Sequence, residues 1–352
     1  MVPALAGTDF PYRDWPCLAG AIKTAGGEVP RVSAAVTWRD VLGRWQMRWG
    51  FGRDRYRIRP GLYAIGTPTP ASPVLVTANY KMTFDLLRRE LAGLDAWLLV
   101  LDTRGINVWC AAGKGTFGTT EVIRQVQAAK LEQVVSHRIL VLPQLAAPGV
   151  AAHLVRQACG FRVVYGPVRA GDIRSFLAAG MQATPIMRRV TFSAGERLVL
   201  TPVELTGMRR ITLWAVPALL LLGGLGPGFF TLSTAAGRGG AAILVYLAGL
   251  LGGCVLTPLF LPWLPGRAFA AKGAFAGAVP ALAAAFALRL PVATGGAMVL
   301  AVAAVASYAG MNFTGSTPFT SPSGVEKEMR RAIPLQGAAL LAAGAMWIGS
   351  IF

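Results

Sequence analysis

The sequence predicts an α/β domain of doubly wound, Rossmann-like topology followed by an all-α bundle of five transmembrane helices. Between residues 73 and 179, short apolar runs alternate with amphipathic stretches of about ten residues, the rhythm of parallel strands joined by crossover helices. Beyond residue 210, five apolar stretches each have the length needed to cross a bilayer. Charge divides the chain in the same way. Of 352 residues only 14% are charged, against about a quarter in soluble domains. The deficit is local: seven of the 34 Lys and Arg and two of the 16 Asp and Glu lie after residue 210. The front is therefore an ordinarily charged domain of net charge about +13, and the back reads as membrane. Three parts follow: a basic, Trp-rich arm (1–60), the α/β domain (61–205) and a transmembrane domain (206–352).

In the arm, Trp15, Trp38, Trp45 and Trp49 interleave with Arg44, Arg48, Arg53, Arg55, Arg57 and Arg59. Such a segment either lies along a membrane surface or packs on the domain as a partly helical arm, and the second is preferred here. A helix is expected over 36–49 and an alternating strand over 53–58. Strands follow at 73–78, 96–102, 138–142 and 162–165, because each is short, apolar and bounded by turn residues. Helices are expected at 84–91, 119–135, 150–159 and 172–179, with a short helical cap at 107–113. Runs 189–192 and 197–200, around Ser193-Ala194-Gly195-Glu196, read as a closing hairpin.

The five apolar stretches are 211–232, 241–261, 268–287, 292–311 and 333–352. Arg209, Arg210, Arg267, Lys272, Lys327, Arg330 and Arg331 flank one side, and Arg238 and Arg289 the other. The positive-inside rule then puts the α/β domain in the cytoplasm, the protein in the inner membrane and the C-terminus outside. Residues Met1 to Phe10 lack the basic and apolar regions of a signal peptide. No acidic residue or His lies within the spans, which argues against an ion-coupled transporter and for an anchor or docking platform. The loop from Asn312 to Arg331, rich in Gly, Ser, Thr and Pro, either contacts the soluble domain or a partner or is an ordinary flexible loop.

A basic front half suits nucleic acid, an anionic lipid surface or an acidic protein. No helix-turn-helix, zinc or RRM pattern is present, so nucleic acid is excluded as the partner. Membrane lipid headgroups, an acidic redox partner or a merely solvated face remain. Cys17, Cys110, Cys159 and Cys254 are far apart with no CxxC, which excludes an iron–sulfur cluster built by this chain alone.

The most informative stretch is Asn107-Val108-Trp109-Cys110-Ala111-Ala112-Gly113-Lys114. It lies just past the carboxyl end of a predicted buried strand, where open α/β sheets bind their ligands. A lone Cys is most often a small buried hydrophobe. A phosphate loop fails on spacing, since GxxxxGK[ST] needs Gly where Val108 stands and Ser or Thr where Gly115 stands. A thiol-protease site lacks a convincing base, because the two histidines, His137 and His153, have no such context.

These eight residues resemble the signature of the membrane-bound corrinoid protein of microbial mercury methylation, a family distantly similar to the corrinoid iron–sulfur protein of the acetyl-CoA pathway. Residues 72–81, Ser-Pro-Val-Leu-Val-Thr-Ala-Asn-Tyr-Lys, resemble that family's first strand and loop, and 311–318 with 323–329 its last intramembrane loop. The resemblance implies a cobalamin or related corrinoid, with Cys110 as the lower axial ligand of cobalt. The residues expected around it are Thr77, Ala78 and Asn79 from the first strand, with Asn107, Val108, Trp109, Ala111, Ala112, Gly113 and Lys114 from the cap. Thr77 would lie near the opposing corrinoid surface. Lys114 would lower the Cys110 pKa, neutralise a corrinoid phosphate, or simply cap the helix. The Asp-x-His-x-x-Gly pattern of ordinary cobalamin modules is absent: Val135 and Ala151 stand two residues before His137 and His153.

A soft anionic thiolate pushes electron density onto the metal, which favours giving up a methyl group as a carbanion or radical. The function implied is transfer of methyl from a methylcorrinoid to inorganic Hg(II), producing methylmercury. A ferredoxin-like partner with two 4Fe–4S clusters and a methyl-donor methyltransferase are implied alongside. Two other readings stand: a membrane-bound corrinoid methyl carrier of one-carbon metabolism, and a non-catalytic anchor or sensor whose α/β domain binds a nucleotide.

Overall fold

Seven strands form one sheet in the computed structural model, which describes residues 17–313 and 322–350, the side chains of 54, 322 and 323 excepted. They are β1 (Leu18–Thr24), β2 (Gly27–Val32), β3 (Gly61–Ile65), β4 (Val74–Ala78), β5 (Ala96–Leu101), β6 (Ile139–Leu142) and β7 (Arg162–Tyr165). The spatial order is β1-β2-β3-β5-β4-β6-β7. Strands β5, β4, β6 and β7 run parallel, β3 is antiparallel to β5, and the β1–β2 hairpin joins β3 through β2. The sheet is therefore mixed, and the fully parallel topology expected from the sequence holds only for its central and distal strands. The strands that sequence reasoning missed are β1, β2 and β3. β1 is mostly exposed, and its small residues Ala19, Gly20 and Ala21 are weak strand formers.

Every residue of β4 and β5 is buried, as Val- and Leu-rich strands must be when helices cover both faces. One face packs under α3 (Val108–Gly113), α4 (Thr119–Ala128), α5 (Leu131–Val134) and α6 (Ala152–Cys159); the other packs under α2 (Lys81–Glu90) and α7 (Ile173–Ala178). From β4 the chain passes to β5 on one side and later crosses to β6 on the other. The carboxyl ends of β4 and β6 thus flank the point where strand order reverses.

Three local expectations are corrected. Residues 53–58 form a 3₁₀ turn, Arg53–Arg55, with one isolated bridge between Arg57 and Tyr80, in place of a strand. The helix expected over 119–135 breaks at Lys130, which adopts φ 45° and separates α4 from α5. The closing hairpin is instead the helix α8 (Ala194–Leu198). Ser193 caps its third amide and Glu196 reaches back to the Ser193 amide, a reciprocal capping box that the hairpin reading took for a turn.

Helix α1 (Trp38–Arg48) is tied to α2 by buried charges. Lys81 bonds Asp40 at 2.7 Å and Asp85 at 2.5 Å, and Arg88 bonds Asp40 at 2.7 Å and Asp85 at 2.8 Å. Burial alone would raise the Asp40 pKa, but hydrogen bonds from Lys81 and Thr37 outweigh it and hold the carboxyl well below the usual carboxylate range.

The residues divide into two compact units, Met1–Met47 with Phe51–Val190, and Arg48–Gly50 with Thr191–Phe352. The second unit contains α8, α9 (Thr201–Gly207) and α10 (Arg209–Gly224), then a two-residue-per-strand hairpin, β8 (Leu225–Gly226) and β9 (Phe229–Phe230). Four longer apolar helices complete it: α11 (Leu232–Leu259), α12 (Phe269–Ala287), α13 (Val292–Asn312) and α14 (Pro322–Gly349). All four are long and apolar enough to cross a membrane, and α8–α9 with α10 makes a fifth candidate bent by 55°. The first expected span is thus a shorter helix ending in β8, and the second begins earlier, at Leu232. Part of the loop expected over 312–331 is the start of α14; residues 314–321, which include most of the quoted Gly-Ser-Thr-Pro stretch, lie outside the described residues. Close packing comes from small residues, as Gly252, Gly273 and Gly277 face Ala306. Arg197, buried in α8, donates to the carbonyls of Pro258 and Leu259 at the end of α11, at 2.6 and 3.0 Å.

Candidate functional site

Cys110 lies on α3, directly after β5 and over the carboxyl edge of the sheet. The helix is short because both ends are specified locally. Asn107 caps its start, its side-chain oxygen accepting from the Cys110 amide at 3.0 Å. Gly115, at φ 76°, ends it in the left-handed conformation. Val108, Ala111 and Ala112 turn inward into the core, while Trp109 and Cys110 are half-buried and Gly113 and Lys114 exposed. The open face of the cap is thus Trp109, Cys110 and Gly113, and nothing lies within 4 Å of the place a Gly113 side chain would occupy. Cys110 is a free thiol.

The loop that delivers α3 is clamped by Asn79. Its side-chain oxygen accepts from the Thr103 amide (3.1 Å), the Thr103 hydroxyl (2.9 Å) and the Gly105 amide (2.9 Å), and its amide donates to Asp102 (3.0 Å). Asp102 is held in turn: its backbone amide donates to Glu121 of α4 at 2.7 Å. From the other side, Gly149 approaches so closely that a methyl group there would meet the Ala112 Cα at 3.0 Å and the Phe117 carbonyl.

The structure gathers Asn107, Trp109, Cys110, Gly113 and Lys114 on one cap. It puts the strand residues elsewhere. Thr77 and Ala78 are buried in β4. Ala78 shares the α3 side of the sheet with Val76, whereas Thr77, by the strand's alternation, points to the α2 side. Asn79 is fully engaged as a positioning residue. Sequence reasoning missed Thr103, Glu121 and Gly149, whose roles come from hydrogen bonds and close approach across the fold. The one signal was Asp102, a carboxylate ending a wholly apolar strand.

His137 cannot serve Cys110. Its Nε2 donates to the Ser72 carbonyl at 2.9 Å and its Nδ1 accepts from the Ile139 amide at 3.2 Å, at the amino-terminal edge of β4 and β6. His153 is exposed on α6. Among the described residues no three His, Cys, Asp or Glu side chains come together as a metal cage. A lone half-open thiol on a cap with an aromatic neighbour and a vacant glycine face does fit a flat macrocycle that brings its own equatorial ligands, since such a group asks the protein for one axial donor.

Residues 52–177, which contain β3 to β7 and α3, match the family model described as CO dehydrogenase/acetyl-CoA synthase delta subunit. The chain is similar to acetyl-CoA decarbonylase/synthase complex subunit gamma of Archaeoglobus fulgidus, at 35% identity over 36% of this chain and 27% of the relative. The subunit gamma of Methanopyrus kandleri is 36% identical over 39% of this chain and 30% of its own length. That of Methanosarcina acetivorans is 33% identical over 36% and 27%. The chain therefore spans less than a third of these curated relatives. The family-model match falls within the unit that carries Cys110.

Proposed function

We propose that this protein is a membrane-attached, corrinoid-dependent methyltransferase that passes a methyl group to inorganic Hg(II), with Cys110 as the axial ligand of cobalt. The observation that carries it is the free Cys110 thiol on the open face of an Asn107-capped helix, within the eight-residue motif. A bound corrinoid supplies a cobalt that carries methyl, and a thiolate beneath it enriches the metal in electrons.

The chain's own residues do the rest. Asn107 fixes the Cys110 backbone, Trp109 and Gly113 give the cap a flat approach, and Asn79 holds the loop so that the thiol keeps its place at the sheet edge. Lys114, exposed at the end of α3, is available to an anionic group of the cofactor. A bound methylcorrinoid would supply the methyl group with its bonding pair to form the carbon–mercury bond, and would need electrons before it could be methylated again. A reductant is then required, and a ferredoxin-like protein with two 4Fe–4S clusters suits that task. A methyl-donor methyltransferase would reload the carrier. The apolar helices of the second unit suit insertion in a cell membrane, with the α/β unit on the cytoplasmic side by the charge rule.

A second reading keeps the cofactor and changes the acceptor. The comparisons favour it: the relatives are subunits of acetyl-CoA decarbonylase/synthase complexes, which points to a methyl carrier of one-carbon metabolism with a carbon acceptor. The full chain, purified and reconstituted with cobalamin, separates the possibilities. A thiolate-like visible spectrum, lost in Cys110→Ala and kept in His137→Ala, supports Cys110 as ligand; an unchanged spectrum in Cys110→Ala ends the first reading, and absence of any bound corrinoid ends both. With the methylated cofactor and a low-potential reductant, methylmercury formation supports the first. Methyl transfer to carbon acceptors alone supports the second.

A further inference from the structure

Helix α1 is built inside out. Its buried residues are Asp40, Gly43 and Met47, and the opposite side carries Trp38, Leu42 and Trp45, with Trp49 one turn beyond. Trp38 and Trp45 are 69% and 63% exposed. The spacing of four, three and four residues puts these side chains in one stripe, diametrically across from the packed face. The orientation is not free to reverse. Asp40 is locked to Lys81 and Arg88, and Gly43 lies so close to the Tyr56 ring that any side chain there would clash.

A stripe of three tryptophans and a leucine, rimmed by polar residues, marks an interaction surface. Its surroundings are basic: Arg39, whose guanidinium lies 5.6 Å over the Trp38 ring, then Arg44, Arg53 and Arg55. The only acids between residues 38 and 59 are Asp40, consumed in the buried network, and Asp54. The end of the helix, Arg48–Gly50, belongs to the second unit. There Arg48 donates to the Val199 carbonyl at 3.2 Å and Gly50 packs by Val203 and Thr206 of α9, the segment that leads straight into the apolar helices. Tryptophan interleaved with arginine on one exposed helix face is the composition of the bilayer interface.

We infer that α1 is an interfacial anchor whose Trp38–Leu42–Trp45–Trp49 stripe enters the headgroup region of an anionic bilayer. The inference rests on the membrane reading of the second unit. Its basic flanks attract anionic lipid, and its rings occupy the boundary between headgroup and acyl chain. An acidic protein or a second copy of this chain would also cover a basic aromatic stripe, but paired Trp and Arg on one helix face match the bilayer interface in particular.

The test is hydroxyl-radical footprinting of the full chain in lipid nanodiscs, read tryptophan by tryptophan by mass spectrometry. Trp214, 81% exposed on α10, reports on the membrane reading separately, and the half-buried Trp109 serves as the reference outside the stripe. The expected result is loss of labelling at Trp38 and Trp45 in phosphatidylglycerol-containing discs, weakened in purely phosphatidylcholine discs and by added salt, with Trp214 protected in all. Trp214 protected while Trp38 and Trp45 label as readily as Trp109 overturns the anchor and leaves the membrane reading intact. Labelling at all three sites overturns both. Protection that ignores lipid charge and salt and scales with protein concentration assigns the stripe to a second copy. In a Trp38→Ser/Trp45→Ser chain that keeps the α2 footprint, lipid-charge-dependent protection of Leu42 should disappear; its persistence also overturns the anchor.

Discussion

The position of Cys110 is set by other residues: Asn107 holds its amide and Asn79 clamps the loop before it. Asn107→Ala removes the cap on the Cys110 amide and should cost about 1 kcal/mol locally. Corrinoid affinity should fall by roughly tenfold while the fold stays intact; a titration of the visible spectrum checks this. Asn79→Ala strips the acceptor from Thr103 and Gly105, whose buried donors are then left unpaired at a cost of about 1–3 kcal/mol. Hydrogen exchange of the 102–107 loop should quicken in that variant, and the thiolate-like spectrum should weaken. Cys110→Ala should leave exchange throughout the α/β unit unchanged while abolishing that spectrum, which separates a ligand from a structural thiol.

Among the elements, α3 is positioned by a backbone approach and α1 by buried charge. Gly149→Ala puts a methyl group against the Ala112 Cα and the Phe117 carbonyl. It should displace α3 and weaken corrinoid binding at least as much as loss of the Asn107 cap, with overpacking costs of about 1–3 kcal/mol. The α1–α2 network carries a pH dependence. Because the folded Asp40 pKa lies below its unfolded value, its ionisation stabilises the fold above about pH 4 and that contribution is lost as pH falls through the carboxylate range. Asp40→Asn should therefore quicken exchange of α2 amides at pH 7, by the roughly 3 kcal/mol expected when a buried pair loses a partner. The difference from wild type should narrow below pH 4. A difference that stays constant with pH would show that the network does not depend on that charge.

At the scale of the whole molecule, the number of spans decides the topology. Sixteen residues of α10 rise about 24 Å, short of the roughly 30 Å of a hydrocarbon core unless the bent α8–α9 segment contributes. On the proposed membrane reading, five spans would put the C-terminus across the bilayer from the α/β unit, and four would put it on the same side. Arg238 donates to the Trp347 carbonyl at 2.9 Å and lies over that ring, so the start of α11 and the end of α14 share one end of the unit. Lys272 and Glu328 meet the Leu261 carbonyl and the Ala270 amide at the other. With the membrane reading, a C-terminal alkaline phosphatase fusion should be active and a fluorescent-protein fusion dark. The reverse result means that α10 does not cross.

The sequence by itself determined what depends on local pattern. β4 and β5 were legible because strands buried on both faces need unbroken Val and Leu. The α3 cap was legible because Asn107 and Gly115 specify the ends of a helix within a few residues, and Cys110 stood out through the motif around it. The apolar helices were legible from length and hydropathy, though their ends were not. Only the tertiary structure decided the rest, because it depends on residues far apart in the chain. The β1–β2 hairpin joins the sheet only where β2 meets β3, far along the chain. Ser193 to Glu196 supports a turn or a helix start equally well by composition, and reciprocal capping settled it as α8. Thr77, expected beside the same ligand as Cys110, faces the α2 side because a strand alternates, whereas α3 packs on the other. Trp38 and Trp45 face outward on α1 because a buried Asp40 bound to Lys81 and Arg88 leaves that helix no other orientation.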